Sequence, residues 1–219
     1  MMGLRNWLAR AFGGFSQSSS GTNFELATQT YLVVDTETTG FNTFNDRILS
    51  IGLLRMHEGR ILLHGSAEIL VDNNVELGNS PAIHGLTLDQ LEGGVPEKSA
   101  LEAFLATLTP HDVLVAHYAR FDREMLFHAL ERHGLPLPQN PWLDTMDVQT
   151  TLEPQREGNA ELLKLDTLLL YYNIEATRRH TALGDAYATA RVLQQQLAGC
   201  AKAGITHSQQ LRPRRTGLW

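Results

Sequence analysis

Apolar and polar positions along the chain change period several times, and those changes divide it into elements. Tyr31-Leu32-Val33-Val34 is a β-branched, apolar run that passes into Asp35-Thr36-Glu37-Thr38-Thr39-Gly40, the pattern of a core strand ending in polar residues and a glycine. Arg47 to Met56 and Ile61 to Leu70 read as two further strands, joined by the turn His57-Glu58-Gly59-Arg60 in a short-loop meander. Asp72 to Ser80 is irregular, and Thr87 is placed to cap a short helix over Leu88 to Leu91 before Gly93-Gly94-Val95-Pro96 breaks it. The spacing of Leu101, Phe104, Leu105 and Leu108 predicts a helix over Ser99 to Leu108, with Ser99 as its N-cap. Asp112 to Ala116 is a short strand that leads into the helical stripe Met125, Leu126, Ala129, Leu130, with Asp122 near the first turn and Gly134 and Pro136 at the end. Trp142 to Thr150 reads as another strand or edge segment with Asp144 as a loop cap. Two helices follow, over Ala160 to Tyr172 and over Thr181 to Cys200; Ala182, Ala186, Ala190, Leu193 and Leu197 form the buried stripe of the second.

The ends of the chain are different in kind. Residues 1–27 form an extension in which Leu4, Trp7, Leu8 and Ala11 fall at helical spacing and Ser16 to Gly21 is a serine-rich linker. The folded domain is expected over residues 28–201, and residues 202–219 as a mobile tail with Trp219 as a docking anchor. A 42% apolar content suffices for one sizeable core, and no stretch reaches the roughly 20 apolar residues of a membrane span. A net charge of -6 argues against a uniformly basic nucleic-acid surface but leaves room for a local groove around an acidic centre. Cys200 is the only cysteine, which excludes an intrachain disulfide or thiolate cluster and suits the reducing cytoplasm.

Chemistry concentrates at the element boundaries. Asp35 and Glu37 are two residues apart, so a continuous strand points both carboxylates to one face, where they can share a cation. A polar turn after a core strand explains the same six residues. His180 and Asp185 are five apart, which is poor same-face spacing within a helix. With His180 in the preceding loop and Asp185 in the second turn, the pair can meet; a surface histidine and an acid favouring the positive helix end are the alternative.

Taken together, DTETTG at Asp35 to Gly40, IHGLT at Ile83 to Thr87, AHYARFD at Ala116 to Asp122 and HTALGD at His180 to Asp185 resemble the DnaQ-like, or DEDDh, 3'-5' exonuclease family. Within it they resemble the proofreading subunits of bacterial DNA polymerase III and their stand-alone relatives. The resemblance covers Tyr31 to Leu197 and implies an α/β fold, a ribonuclease H-like mixed five-stranded sheet flanked by helices. It implies two divalent ions, Mg2+ or Mn2+, a donor choice that suits hard carboxylate oxygens. Asp35 would touch both, Glu37 and Asp185 would hold the water-activating ion, Asp122 would support the second, and His180 would be the general base. Thr38, Gly40, Phe41, His84, Leu86 and Tyr118 would line the terminal nucleotide. The family commonly has asparagine where Tyr118 stands, which bears on substrate preference. Arg120, Arg123, Arg178 and Arg179 are candidates for local phosphate contacts.

The expected activity is hydrolysis of single-stranded or frayed DNA from its 3' end to nucleoside 5'-monophosphates, with RNA or short oligonucleotides as the alternative substrate. Association with a DNA polymerase or repair complex, a cytoplasmic location and no integral membrane association complete the expectation. A nonhydrolytic polymerase-associated module is the rival of another class; the intact set of four acids and His180 argues against it.

Overall fold

The computed structural model describes residues 23–72 and 91–213. The expected amphipathic segment at the N-terminus, the short helix after Thr87, the IHGLT motif with His84 and Leu86, and Trp219 lie outside the described residues. Among the described residues the strands are β1 (Thr30–Thr38), β2 (Ile48–His57), β3 (Arg60–Asp72), β4 (Val95–Pro96), β5 (Val113–Ala116) and β6 (Trp142–Asp144). They form one sheet in the order β4-β3-β2-β1-β5-β6. The expected five strands are present, and the two-residue β4 is added at one edge, parallel to the end of β3. β1, β2 and β3 are antiparallel neighbours, whereas β5 and β6 run parallel to β1. The meander closes through a two-residue turn in which Glu58 and Gly59 both have positive φ, the geometry that matches the twist of a hairpin.

Among the described residues the α-helices are α1 (Glu97–Thr107), α2 (Ala119–Arg132), α3 (Thr145–Leu152), α4 (Leu165–Tyr171) and α5 (Ala182–Lys202), with α4 packed on α5. Alternation along β1 explains the two layers. Leu32 and Val34 join Met125, Leu126 and Ala129 of α2 and Leu101 and Phe104 of α1 in one core. Tyr31 and Val33 face the other way, onto Ala186, Ala190 and Leu193 of α5. β1 is therefore buried on both faces, and its acidic end emerges between two helices.

Several sequence expectations are corrected. The helix expected from Ser99 begins at Glu97; Pro96, at φ -52, is its N-cap and Ser99 lies in the first turn. The segment after Trp142 is strand only to Asp144 and then becomes α3, because the Asp144 carboxylate caps it by accepting the Met146 N–H at 2.9 Å. Ala160 to Tyr172 is not one helix: a 3₁₀ turn over Ala160–Leu163 is separated from α4 by Lys164 in an extended conformation. Asp185 lies in the first turn of α5, one turn earlier than expected. The described part of the tail packs back. Ile205 and Leu211 lie against the α5 side of the core, and His207 bridges Glu25. No helix among the described residues is long and apolar enough to cross a membrane.

Candidate active site

β1 carries the first two acids to the site. Asp35 and Glu37 lie on the α5 face, with Val33 and Tyr31 anchoring the strand below them in the core. β5 stops at Ala116, opposite a β1 position before Asp35, so the end of β1 is uncovered on that side. The Thr36 N–H, which would need a strand partner there, instead donates to Asp122 Oδ1 at 2.9 Å, and the Thr36 hydroxyl donates to the same oxygen at 2.8 Å. One α2 carboxylate thus stands in for a missing strand. Asp122 enters from the α2 layer and Asp185 from the α5 layer.

The approach of α5 depends on an absent side chain. Gly52 is the β2 partner of Asp35, and a Cβ on it would sit 2.2 Å from the backbone carbonyl carbon and oxygen of Ala182. Without that atom the first turn of α5 lies directly on the sheet, and Asp185 meets the strand acids. Ligand oxygens of Asp35, Glu37 and Asp185 all lie within 4.8 Å of one another. Gly184 serves the same turn: a Cβ there would meet the Arg178 carbonyl oxygen at 1.9 Å, so the loop before α5 can fold over it.

Electrostatics record the crowding. Burial pushes the Asp35 carboxyl well above the usual carboxylate range, and repulsion from Asp122 and Glu37 adds to it. Glu37 is pushed up to about 7 by burial and then by Asp122 and Glu68. Burial also raises Asp122 to about 7, against the hydrogen bonds from Thr36 that favour its charged form. Such a centre demands positive charge, and Arg179 supplies some: its guanidinium bonds Asp185 and also pairs with Asp166 of α4 at 2.9 Å, and its charge acts against the upward shifts at Asp35 and Glu37. Hard oxygen donors at this mutual distance fit a divalent cation such as Mg2+ or Mn2+.

The structure brings Asp35, Glu37 and Asp185 together directly, with Asp122 held against the intervening Thr36. His180 precedes the Thr181 cap of α5, is exposed, and has a left-handed backbone at φ 63; its N–H donates to Asp185 Oδ1 at 3.1 Å. Of the expected nucleotide-lining residues, Thr38 donates its hydroxyl to the Gly40 carbonyl at 2.7 Å, while Phe41 and Tyr118 border an open cleft of about 420 Å³ with Thr43, Arg120, Phe121 and Glu124. Arg120 is engaged with Glu124 at 2.8 Å and Arg123 lies over the Phe127 ring. Arg178 is exposed, with a left-handed φ of 58.

Sequence reasoning missed four supports: Thr36, Glu68, Asp46 and Asp166. Thr36 carried a signal, since it lies between the two strand acids and points to the opposite face. Glu68 reaches the centre only through the register that pairs it with Gly52, itself paired with Asp35. Asp46 ties the loop after β1 by accepting the Thr39 hydroxyl and the Asn42 N–H, both at 2.8 Å.

A mixed sheet whose first strand ends in a carboxylate cluster, closed by one helix from each face, is the ribonuclease H-like class of metal-dependent nuclease folds. The chain belongs to the DnaQ-like, DEDDh exonuclease family: the family model described as Exonuclease (RNase_T) matches residues 32–193. Among curated proteins it is similar to the PolC-type DNA polymerase III of Lacticaseibacillus paracasei, 30% identical over 192 residues that make up 87% of this chain and 13% of that protein. The PolC-type enzyme of Listeria monocytogenes is 32% identical over 166 residues, 75% of this chain and 11% of that protein. The chain therefore spans about an eighth or less of the length of these relatives. Among solved structures, Escherichia coli exonuclease I in complex with a dT13 oligonucleotide superposes with a TM-score of 0.69 at 19% identity, covering 81% of this chain and 43% of that one. At that identity the likeness concerns the fold.

Proposed function

We propose that the chain is a 3'-5' exonuclease that hydrolyses single-stranded or frayed DNA to nucleoside 5'-monophosphates. The observation that carries this reading is the convergence of Asp35, Glu37 and Asp185 within 4.8 Å at the end of β1, in a chain of the exonuclease family. Asp35, Glu37 and Asp185 would hold one divalent ion, and Asp35 with Asp122 a second. Two such ions, Mg2+ or Mn2+, would supply a water of lowered pKa and charge compensation at the departing 3' oxygen.

The remaining roles belong to the chain itself. Thr36 fixes Asp122 through Oδ1 and leaves Oδ2 for a ligand. His180 accepts the proton of the attacking water at an imidazole nitrogen, from a loop whose backbone is already bonded to Asp185. Phe41, Tyr118 and the Thr38–Gly40 backbone border the terminal nucleotide. Exonuclease I is known in complex with single-stranded oligonucleotides and with SSB-Ct, which supports a single strand as the substrate here. The likeness to PolC-type polymerases favours work beside a DNA polymerase, in the cytoplasm.

The test uses 5'-labelled single-stranded DNA and RNA of equal sequence in Mg2+, Mn2+ and EDTA. Stepwise shortening from the 3' end, release of 5'-monophosphates and silence in EDTA are expected, with DNA cleaved faster than RNA. Cleavage in EDTA, or none of either polymer by folded protein, would overturn the reading.

A further inference from the structure

The loop between β1 and β2 presents a second aromatic ring that the proposed terminal-nucleotide pocket does not use. Phe44 is 71% exposed, and Phe41 in the same loop is 80% exposed. Neither ring is loose. Phe44 stacks on the His128 ring of α2 at 4.0 Å and 29°, and Phe41 leans on Phe121 at 6.0 Å. The loop beneath them is tied at several points: Asn42 Oδ1 accepts the N–H groups of Phe44 and Asn45, Asp46 N–H donates to the Asn42 carbonyl, and the His128 ring meets the Thr43 carbonyl at 3.0 Å. A large apolar ring held face-up by a helix side chain, next to the cleft bordered by Phe41, Thr43 and Phe121, is preorganised for a flat ligand.

The spacing says which part of a ligand would reach it. His128 is six residues beyond Asp122 on α2, about 9 Å along the helix axis. At ~3.4 Å per nucleotide, that distance amounts to about two to three steps from a 3' end bound at the carboxylates, which brings the third or fourth nucleotide over Phe44. Local charge supports stacking rather than phosphate capture, because Arg120, the cation bordering the cleft, is engaged with Glu124. Stacking of this kind accepts any base but needs the base face free, so a paired strand is excluded.

We propose that Phe44, backed by His128, is an accessory base-stacking subsite for a single-stranded nucleic acid, gripping it two to three nucleotides from the 3' end. The inference rests on the exonuclease reading and deepens it by placing the path of the strand outside the terminal pocket.

The experiment compares an octathymidylate with thymidine 5'-(p-nitrophenyl phosphate), which has no third base, and measures octamer binding separately by fluorescence anisotropy in Ca2+. Phe44→Ala should lower the octamer-to-ester ratio of kcat/KM about tenfold and weaken octamer binding to a similar degree, while Phe44→Trp holds both. An unchanged ratio with unchanged binding, or a Trp variant as poor as the Ala variant, would overturn the subsite. Should the wild-type protein turn over neither substrate, the exonuclease reading falls, and the anisotropy of Phe44→Ala against wild type still decides whether Phe44 binds the strand.

Discussion

The four carboxylates and the histidine are supported in opposite ways. Asp35 and Glu37 ride on a strand buried on both faces, Asp122 is fastened to Thr36 by two hydrogen bonds, and Asp185 lies in the first turn of a 21-residue helix pressed against Gly52. His180 instead belongs to a loop in which Arg178 and His180 are both left-handed, a conformation that costs about 1–2 kcal/mol per non-glycine residue. Its imidazole makes no hydrogen bond among the described residues, and the loop is tied down through its neighbours: Arg179 on Asp166 and Asp185, and the Thr181 hydroxyl on the Arg178 carbonyl at 2.9 Å. Under the proposed mechanism, the ligands of a hard cation, which work only at set distances, would be built into the core, and the proton acceptor would be hung outside it.

That contrast can be broken first on the rigid side. Asp185→Asn should lower turnover by about 1,000-fold or more, the scale of losing several kcal/mol of charge stabilisation, and should weaken Mn2+ binding in a calorimetric titration. On the exposed side, His180→Ala should cost about 100-fold or more in kcat while Mn2+ affinity holds. Equal loss of Mn2+ affinity in both variants would erase the distinction between the two regions.

Gly52→Ala probes how the rigid side is assembled. The added methyl group meets backbone rather than a flexible side chain, so a loss of about 1–3 kcal/mol is expected in urea denaturation, together with weaker Mn2+ binding as α5 is lifted. A smaller, pH-dependent effect follows from the raised acids. Glu37 and Asp122, near 7 in the folded protein, bind more protons than the unfolded chain does between roughly pH 4 and 7. Their contribution is complete below the unfolded values and is lost as the pH rises through about 7. In EDTA the Tm should therefore fall from pH 5 to 8 more steeply than in Glu37→Gln, and Mn2+ should restore it. Smallest is Tyr118→Asn. Tyr118 sits at φ 62 and ψ 50, a conformation asparagine tolerates better, and the variant should gain up to ~1 kcal/mol in the same denaturation.

How much of this could be read from the sequence depended on the range of the interaction. β1 and α5 were legible because an unbroken apolar run and a long stripe of small residues have one good packing each, and the acids at their ends came with them. α3 was not, since Trp-Leu-Asp-Thr-Met-Asp-Val satisfies strand alternation and helical spacing alike, and a side-chain cap decides between them. Residues 205–211 look polar, yet Ile205 and Leu211 pack on the core and backbone bonds to Phe24 and Leu26 hold the segment there. Gly52 and Glu68 take their meaning from strand register, which no local pattern reports. Arg179 was visible only as a charge; its two partners lie 13 and 6 residues away on separate helices.

Asp144 has a consequence of its own. Its carboxylate accepts the N–H groups of Tyr118 and Ala119 at 3.1 Å as well as that of Met146, so a single side chain closes the starts of both α2 and α3. The amides of Tyr118, Ala119 and Met146 should then exchange with deuterium as one group, opening together despite their separation along the chain. The helix that delivers Asp122 and the helix behind the sheet edge would form one cooperative unit, and a fluctuation at β6 would be felt at the carboxylate cluster.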